Sequence, residues 1–235
     1  MTSALPMKII PVIDLKDGLV VHAHLGLREH YQPIHTKLCQ SADLYQVMAA
    51  FLTLADFECF YIADLNAITG FGHHEALIAE LLKTYPQKTF WIDSGYQTFK
   101  DYADNHLPVL GSECYSEDQI VELKAFKKRF ILSLDYGQSG ALGATSLFRD
   151  QSLWPDTIII MTLNRVGSQQ GPDLEILSAF CTRYPEQHFV AAGGIRHNED
   201  LQSLKLIGIQ QALLASALHS GDIVPSVFMA LINPR

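Results

Sequence analysis

Basic residues are in short supply: 17 Lys and Arg stand against 25 Asp and Glu in 235 residues, a formal net charge of -8. A chain of that sign repels nucleic acid and anionic membrane surfaces, so neither is expected as a partner, although a local basic pocket is allowed. Long hydrophobic runs are missing too: nowhere do about 18 apolar residues follow one another, which excludes a membrane-spanning helix. Met1 to Met7 carry neither a basic start nor an apolar core, so no secretory leader is expected. The four cysteines, Cys39, Cys59, Cys114 and Cys181, lie far apart without any Cys-x-x-Cys pair. That spacing argues against zinc and thiol–disulfide motifs and fits reduced, structural thiols in a cytoplasmic protein. The Gly-x-Gly-x-x-Gly fingerprint of many dinucleotide-binding sheets is missing after the first apolar run, which disfavours a doubly wound open sheet.

What is present is a core. With 48% hydrophobic residues the chain buries a sizeable interior, and its length is close to the roughly 250 residues of a one-domain barrel. Short apolar runs recur at Ile9 to Ile13, Phe60 to Ala63, Phe90 to Ile92, Val109 to Leu110, Phe130 to Leu134, Thr157 to Met161, Phe189 to Ala192 and Ala212 to Ala215. Each is continuous, as a parallel strand buried on both faces should be. Helical patterns over Asp43 to Leu54, His74 to Tyr85, Glu117 to Lys127, Leu174 to Tyr184 and Asn198 to Ile207 fall between them. Eight strands followed by helices predict a single (β/α)8 barrel over residues 1–235. Weak repetition divides it: Pro11-Val-Ile-Asp14 echoes Leu132-Ser-Leu-Asp135, Ser94-Gly95 answers Gly193-Gly194, and Gly111-Ser112 answers Ala215-Ser216. Two repeated half-barrels are the simplest account.

Asp14 closes the first strand and Asp135 the fifth, and carboxylates at the C-terminal ends of barrel strands point into the mouth where such enzymes act. Facing across one substrate, they suit general acid and base work; taken singly, each could merely cap the following turn. Gly193, Gly194 and Arg196 after strand seven, with Ser216 after strand eight, form a candidate phosphate cradle, since small residues let backbone N–H groups approach an anion. The alternative is a tight turn that needs Gly for backbone reasons alone. In the first half Gly95, Gly111 and Ser112 are the counterparts, with one Gly fewer and an added negative charge at Asp93. That charge would disfavour a phosphate dianion if it pointed at the pocket. His22, His24, His73 and His74 lack a third ligand at a recognisable spacing, so no metal is expected. Trp154 before Pro155 reads as packing rather than as a stacking platform.

The segments Ile10-Pro-Val-Ile-Asp-Leu-Lys-Asp-Gly-Leu-Val-Val21, Ala63-Asp-Leu-Asn-Ala-Ile68, Leu132-Ser-Leu-Asp135, Ala192-Gly-Gly-Ile-Arg196 and Leu214-Ala-Ser-Ala-Leu218 resemble the histidine-biosynthesis half-barrel family, the ribotide isomerase and its cyclase relative. The resemblance implies an Amadori rearrangement of a phosphorylated ribosylamine, aminoaldose to aminoketose, without metal or cofactor. It makes Asp14 the base at C2 of the ribose and Asp135 the acid that assists ring opening. It also implies a phosphate site in each half. There are departures. His22 stands where the isomerase has Arg and the cyclase Lys, and in Thr162-Leu-Asn-Arg-Val-Gly167 Val166 replaces an Asp. With the altered loop at Gly95, they predict weak activity on the histidine-pathway ribotide. Thr162 and Gly167 remain candidate substrate contacts in that loop.

A second resemblance lies in Arg28-Glu-His-Tyr31-Gln-Pro-Ile34, followed by Ala63-Asp64-Leu65 and Ala215-Ser216-Ala217-Leu218-His219, which looks like isomerase-related paralogues of methanogens and methylotrophs associated with the tetrahydromethanopterin one-carbon pathway. It implies a different phosphorylated substrate, gripped by Arg28 and Tyr31. A barrel that binds a phosphorylated metabolite without catalysis is the remaining alternative. The expected partner is a small phosphorylated metabolite, and the expected assembly a monomer or homodimer.

Overall fold

The computed structural model of the protein describes residues 7–168 and 170–223. All eight expected runs coincide with strands, seven of them longer than the apolar run and the last shifted by one residue: β1 (Lys8–Lys16), β2 (Cys59–Asp64), β3 (Thr89–Asp93), β4 (His106–Gly111), β5 (Ile131–Gly137), β6 (Thr157–Thr162), β7 (His188–Ala192) and β8 (Gln211–Leu214). Each pairs in parallel with the next, and β8 returns to β1 with Lys8 opposite Gln211, closing a (β/α)8 barrel. Closure leaves the barrel strands no free edge.

The period of two in each strand sorts its side chains into two cores. Ile10, Tyr61, Trp91, Val109, Ile131, Ile159, Val190 and Leu213 fill the barrel interior. Ile9, Ile13, Phe60, Phe90, Leu132 and Ile158 face outward against the surrounding helices. Those helices are α1 (Leu44–Leu54), α2 (Leu65–Thr69), α3 (Glu75–Thr84), α4 (Leu174–Arg183), α5 (Asn198–Leu206) and α6 (Ser216–Ser220). Asp43 and Asp173 cap α1 and α4 by accepting from the N–H groups of Gln46 and Ile176. Among the described residues no helix is long and apolar enough to cross a membrane.

Two expectations need correction. The segment expected as a helix over Glu117 to Lys127 is a 3-10 helix, Ile120–Phe126. Its buried residues Ile120, Leu123 and Phe126 recur every third position, the period of a 3-10 helix rather than of an α-helix. Nor does a regular helix follow every strand. After β5 the described chain makes a short return strand, Gly140–Ala141, and two 3-10 turns, Thr145–Phe148 and Gln151–Leu153. Gly140 and Gly143 there hold φ values of 110° and 88°, which break helical continuation.

The two halves match feature by feature. β1 and β5 each run on into an antiparallel return strand, Leu19–His22 opposite Asp14 to Lys16 and Gly140–Ala141 opposite Tyr136 and Gly137. β2 and β6 each lead into one short helical turn, α2 and Leu163–Arg165. β3 and β7 are each followed by glycine at positive φ, and β4 and β8 by a short helix opening on a serine, Ser112 or Ser216. The four cysteines are free thiols, and Trp154 is packing: buried, it donates from Nε1 to the Leu147 carbonyl at 2.7 Å beside Tyr184 and Phe189.

Candidate active site

A cavity of about 690 Å³ opens at the C-terminal ends of the strands, and both Asp14 and Asp135 line it. Three strands separate β1 from β5 in either direction around the sheet, so the two carboxyls rise from opposite sides of the mouth. Asp135 is 4% exposed and firmly held. Ser133 Oγ donates to Oδ1 at 2.6 Å, while Ser112 Oγ and the Glu113 N–H donate to Oδ2 at 3.2 Å each. Burial pushes its pKa from 3.8 up to about 7; the neighbouring Glu113 charge adds to the rise and the Ser133 bond opposes it. Asp14 accepts no hydrogen bond among the described residues. Burial takes it to about 7 as well, against the pull of Arg28 and with a push from Asp93.

Asp93 faces the same cavity. Tyr61 donates its hydroxyl to Oδ2 at 3.0 Å and the Gly95 N–H donates to Oδ1 at 3.0 Å. Burial raises Asp93 to about 6 in spite of both bonds. From the loop after β1, Arg28 reaches across to form an ion pair with Glu113 after β4, and Lys16 Nζ steadies that loop by donating to the Arg28 carbonyl at 2.9 Å. Tyr31 is buried beside them, its phenol pushed up to about 12 first by burial and then by the Asp14 charge.

Of the residues singled out from sequence, Asp14, Asp135, Arg28, Tyr31, Gly167, Gly193, Gly194, Arg196 and Ser216 line this one cavity. Gly193 and Gly194 have φ values of 102° and 80°. A Cβ on them would stand 2.5 Å from the Thr162 carbonyl oxygen and 2.3 Å from that of Gly171. These glycines therefore let the loop press against its neighbours. Arg196 is clamped on Asp200, with Nε and Nη2 each 2.9 Å from a carboxylate oxygen.

Gly95, Gly111, Ser112 and Thr162 do not line the cavity. The Gly95 N–H serves Asp93, and Ser112, fully buried, both donates to Asp135 and accepts its N–H at 2.9 Å. A Cβ on Gly111 would stand 3.2 Å from Asp135 Oδ2, and Thr162 is buried under the Gly193 loop. These four residues position acids and backbone where the sequence suggested anion contacts. His74 is structural: its ring lies 2.8 Å from Asp64 through Nδ1 and accepts the Gly18 N–H through Nε2. Among the described residues no group of three or more His, Cys, Asp or Glu is arranged to hold a metal ion.

Tyr61, Glu113 and Lys37 line the cavity without having been singled out, and His219, quoted only as the end of a motif, lines it too. Glu113 was legible in principle, since it directly follows Ser112 at the end of a barrel strand. His219 arrives through tertiary contacts that no local pattern announces: its Nδ1 lies 3.3 Å from Thr36 Oγ1, and burial lowers it to about 4, so it is neutral at pH 7.

Against known proteins, the profile of the family described as "Histidine biosynthesis protein" matches residues 8–224. An uncharacterized protein of Methanocaldococcus jannaschii is 30% identical over 224 residues, covering 92% of this chain and 94% of the relative. The 1-(5-phosphoribosyl)-5-((5-phosphoribosylamino)methylideneamino)imidazole-4-carboxamide isomerase of Mannheimia succiniciproducens is 25% identical over 238 residues, covering 91% and 92%. The isomerase of the same name from Haemophilus influenzae is 24% identical with the same coverage. A profile match across nearly the whole chain, on a closed barrel with acids at the ends of β1 and β5, shows that this chain belongs to the histidine biosynthesis protein family of barrels, which includes isomerases.

Proposed function

We propose that the protein is an acid–base isomerase acting on a phosphorylated ribosylamine-type substrate by an Amadori-type rearrangement at the C-terminal mouth. The observation that carries this reading is the pair of opposed acids, Asp14 and Asp135, both held near pKa 7 by burial. A group poised near the working pH serves as either base or acid at little cost, which is what aldose–ketose chemistry asks of two residues. Asp14, with no hydrogen bond to its carboxylate among the described residues, is free to take the proton from C2. Asp135, oriented by Ser112, Ser133 and the Glu113 N–H, presents a proton to the ring oxygen. Protonation of the ring oxygen and loss of the C2 proton give the enaminol, which gains a proton at C1 and loses the one on its C2 hydroxyl to become the aminoketose, so the isomerisation balances without an external oxidant or reductant. The Gly193 and Gly194 N–H groups with the Ser216 hydroxyl would hold a phosphate at the mouth.

A second reading, a paralogue using the same acids on a different phosphorylated substrate, is favoured by the first half of the mouth. There the Gly95 N–H and the Ser112 hydroxyl already serve Asp93 and Asp135. Complementation of a histidine auxotroph lacking the isomerase separates the two. Growth restored at wild-type rate supports the ordinary ribotide as substrate; no growth, with phosphate still bound by the purified protein, supports the paralogue.

A further inference from the structure

The charges lining the cavity are segregated. Asp93, Glu113 and Asp135 come from the ends of β3, β4 and β5, where the nearby cation Arg28 is already paired with Glu113, while Asp14 stands on β1, which pairs with β8. The side formed after β7 and β8 carries the bare glycine loop and Ser216, and Lys37 reaches the cavity from the loop after β1. That loop is fixed on the β8 side, where Thr36 Oγ1 meets His219 Nδ1 at 3.3 Å and the Leu38 N–H donates to the His219 carbonyl at 3.4 Å. Lys37 forms no ion pair among the described residues. Among the described residues that line the cavity, Asp222 is the one acid on that side; it is exposed at the rim and accepts from Ser220 Oγ at 2.6 Å.

We infer that the cavity selects a substrate with one anionic end and one cationic end, a phosphate monoester carrying a primary or secondary amine, rather than a bisphosphate. The inference rests on the phosphate cradle proposed above for the β7 and β8 loops. At the opposite end the donors that could have met a second phosphate are turned inward, Gly95 N–H onto Asp93 and Ser112 Oγ onto Asp135. What faces the ligand there is carboxylate oxygen, with the Tyr61 hydroxyl turned onto Asp93. A dianion placed against those acids meets like charge in a partly desolvated site, whereas an ammonium donates to them. The Arg28–Glu113 pair sets the balance: Glu113 holds the guanidinium that would otherwise be free for an anion.

Three matched ligands test the inference on the intact protein: aminopentyl phosphate, pentyl phosphate and pentanediol bisphosphate, titrated calorimetrically near pH 7.5. The expected order is aminopentyl phosphate tightest, by about tenfold over pentyl phosphate, with the bisphosphate weakest, since one charge-assisted hydrogen bond supports a difference of that size. Glu113→Gln, which removes an acid and frees Arg28, is expected to cut the amine preference to about threefold or less and to strengthen the bisphosphate. Asp93→Asn, which keeps the shape and the Tyr61 contact, is expected to shift the preference in the same direction. Thermal melts confirm that each variant is folded. A bisphosphate that binds wild type as tightly as pentyl phosphate overturns the inference and leaves the cradle standing. So does an amine preference that neither variant reduces. If none of the three binds, the cradle falls and the inference with it.

Discussion

Asp135→Asn should make the protein more stable at alkaline pH while removing its activity. In the folded state the Asp135 carboxyl has a pKa of about 7, against 3.8 when unfolded. A folded-state pKa raised in this way means that the neutral acid is the form the fold tolerates. Its full stability is present below about pH 3.8 and is lost progressively as the pH rises through about 7. At 1.36 kcal/mol per pH unit, the penalty grows by about 2 to 3 kcal/mol between pH 5 and pH 8, an upper bound because water in the cavity screens the charge. Asparagine keeps the shape and one acceptor oxygen, enough for Ser133 or for Ser112 and the Glu113 N–H but not for both, and it never ionises. Urea unfolding of wild type and variant at both pH values isolates the effect. The variant should gain about 1 to 3 kcal/mol on wild type in going from pH 5 to pH 8, or roughly 2 to 12 °C in Tm for a domain of this size. A difference that is unchanged or reversed between the two pH values would refute the claim that burial holds Asp135 protonated near neutrality.

Asp14→Asn and Asp135→Asn should each lower turnover by a factor on the order of 10² to 10⁴ with the fold intact, and a variant retaining more than about half of wild-type kcat removes its residue from the pair. With Asp14 ionised as base and Asp135 protonated as acid, kcat/KM should peak near neutrality and fall on both sides, so a profile flat from about pH 5 to 9 would contradict the assignment. Gly194→Ala places a Cβ 2.3 Å from the Gly171 carbonyl at a φ of 80°, and should cost stability on the order of 1 to 3 kcal/mol and weaken phosphate binding, read by thermal melts and by phosphate titration. On the histidine-pathway ribotide, activity should be weak or undetectable, and a kcat/KM above about 10⁵ M⁻¹s⁻¹ would show the departures at Val166, His22 and Gly95 to be harmless.

The strands were legible because burial on both faces leaves an unbroken apolar run, the least ambiguous pattern a sequence offers for a parallel sheet. Asp14 and Asp135 were legible because they end such runs in both halves. The segment around Ile120 was misread because apolar residues three apart suit a 3-10 and an α-helical face alike, and only the buried set shows which. The roles of Gly95, Ser112 and Glu113 were hidden for a different reason. Gly-Ser after a strand reads the same whether its donors face the ligand or the neighbouring carboxylate, and that choice is made by the packing of β3, β4 and β5 together. The Arg28–Glu113 pair joins residues 85 positions apart and leaves no local trace.

The central claim is that the fold holds two opposed carboxyls close to neutrality. Carbon-13 NMR of protein labelled at its aspartate carboxyls tests it without any substrate. The account predicts two carboxyls that titrate near pH 7, one lost in Asp14→Asn and the other in Asp135→Asn, with a third, Asp93, near 6. Resonances for Asp14 and Asp135 that titrate near pH 4, as exposed aspartates do, would contradict it.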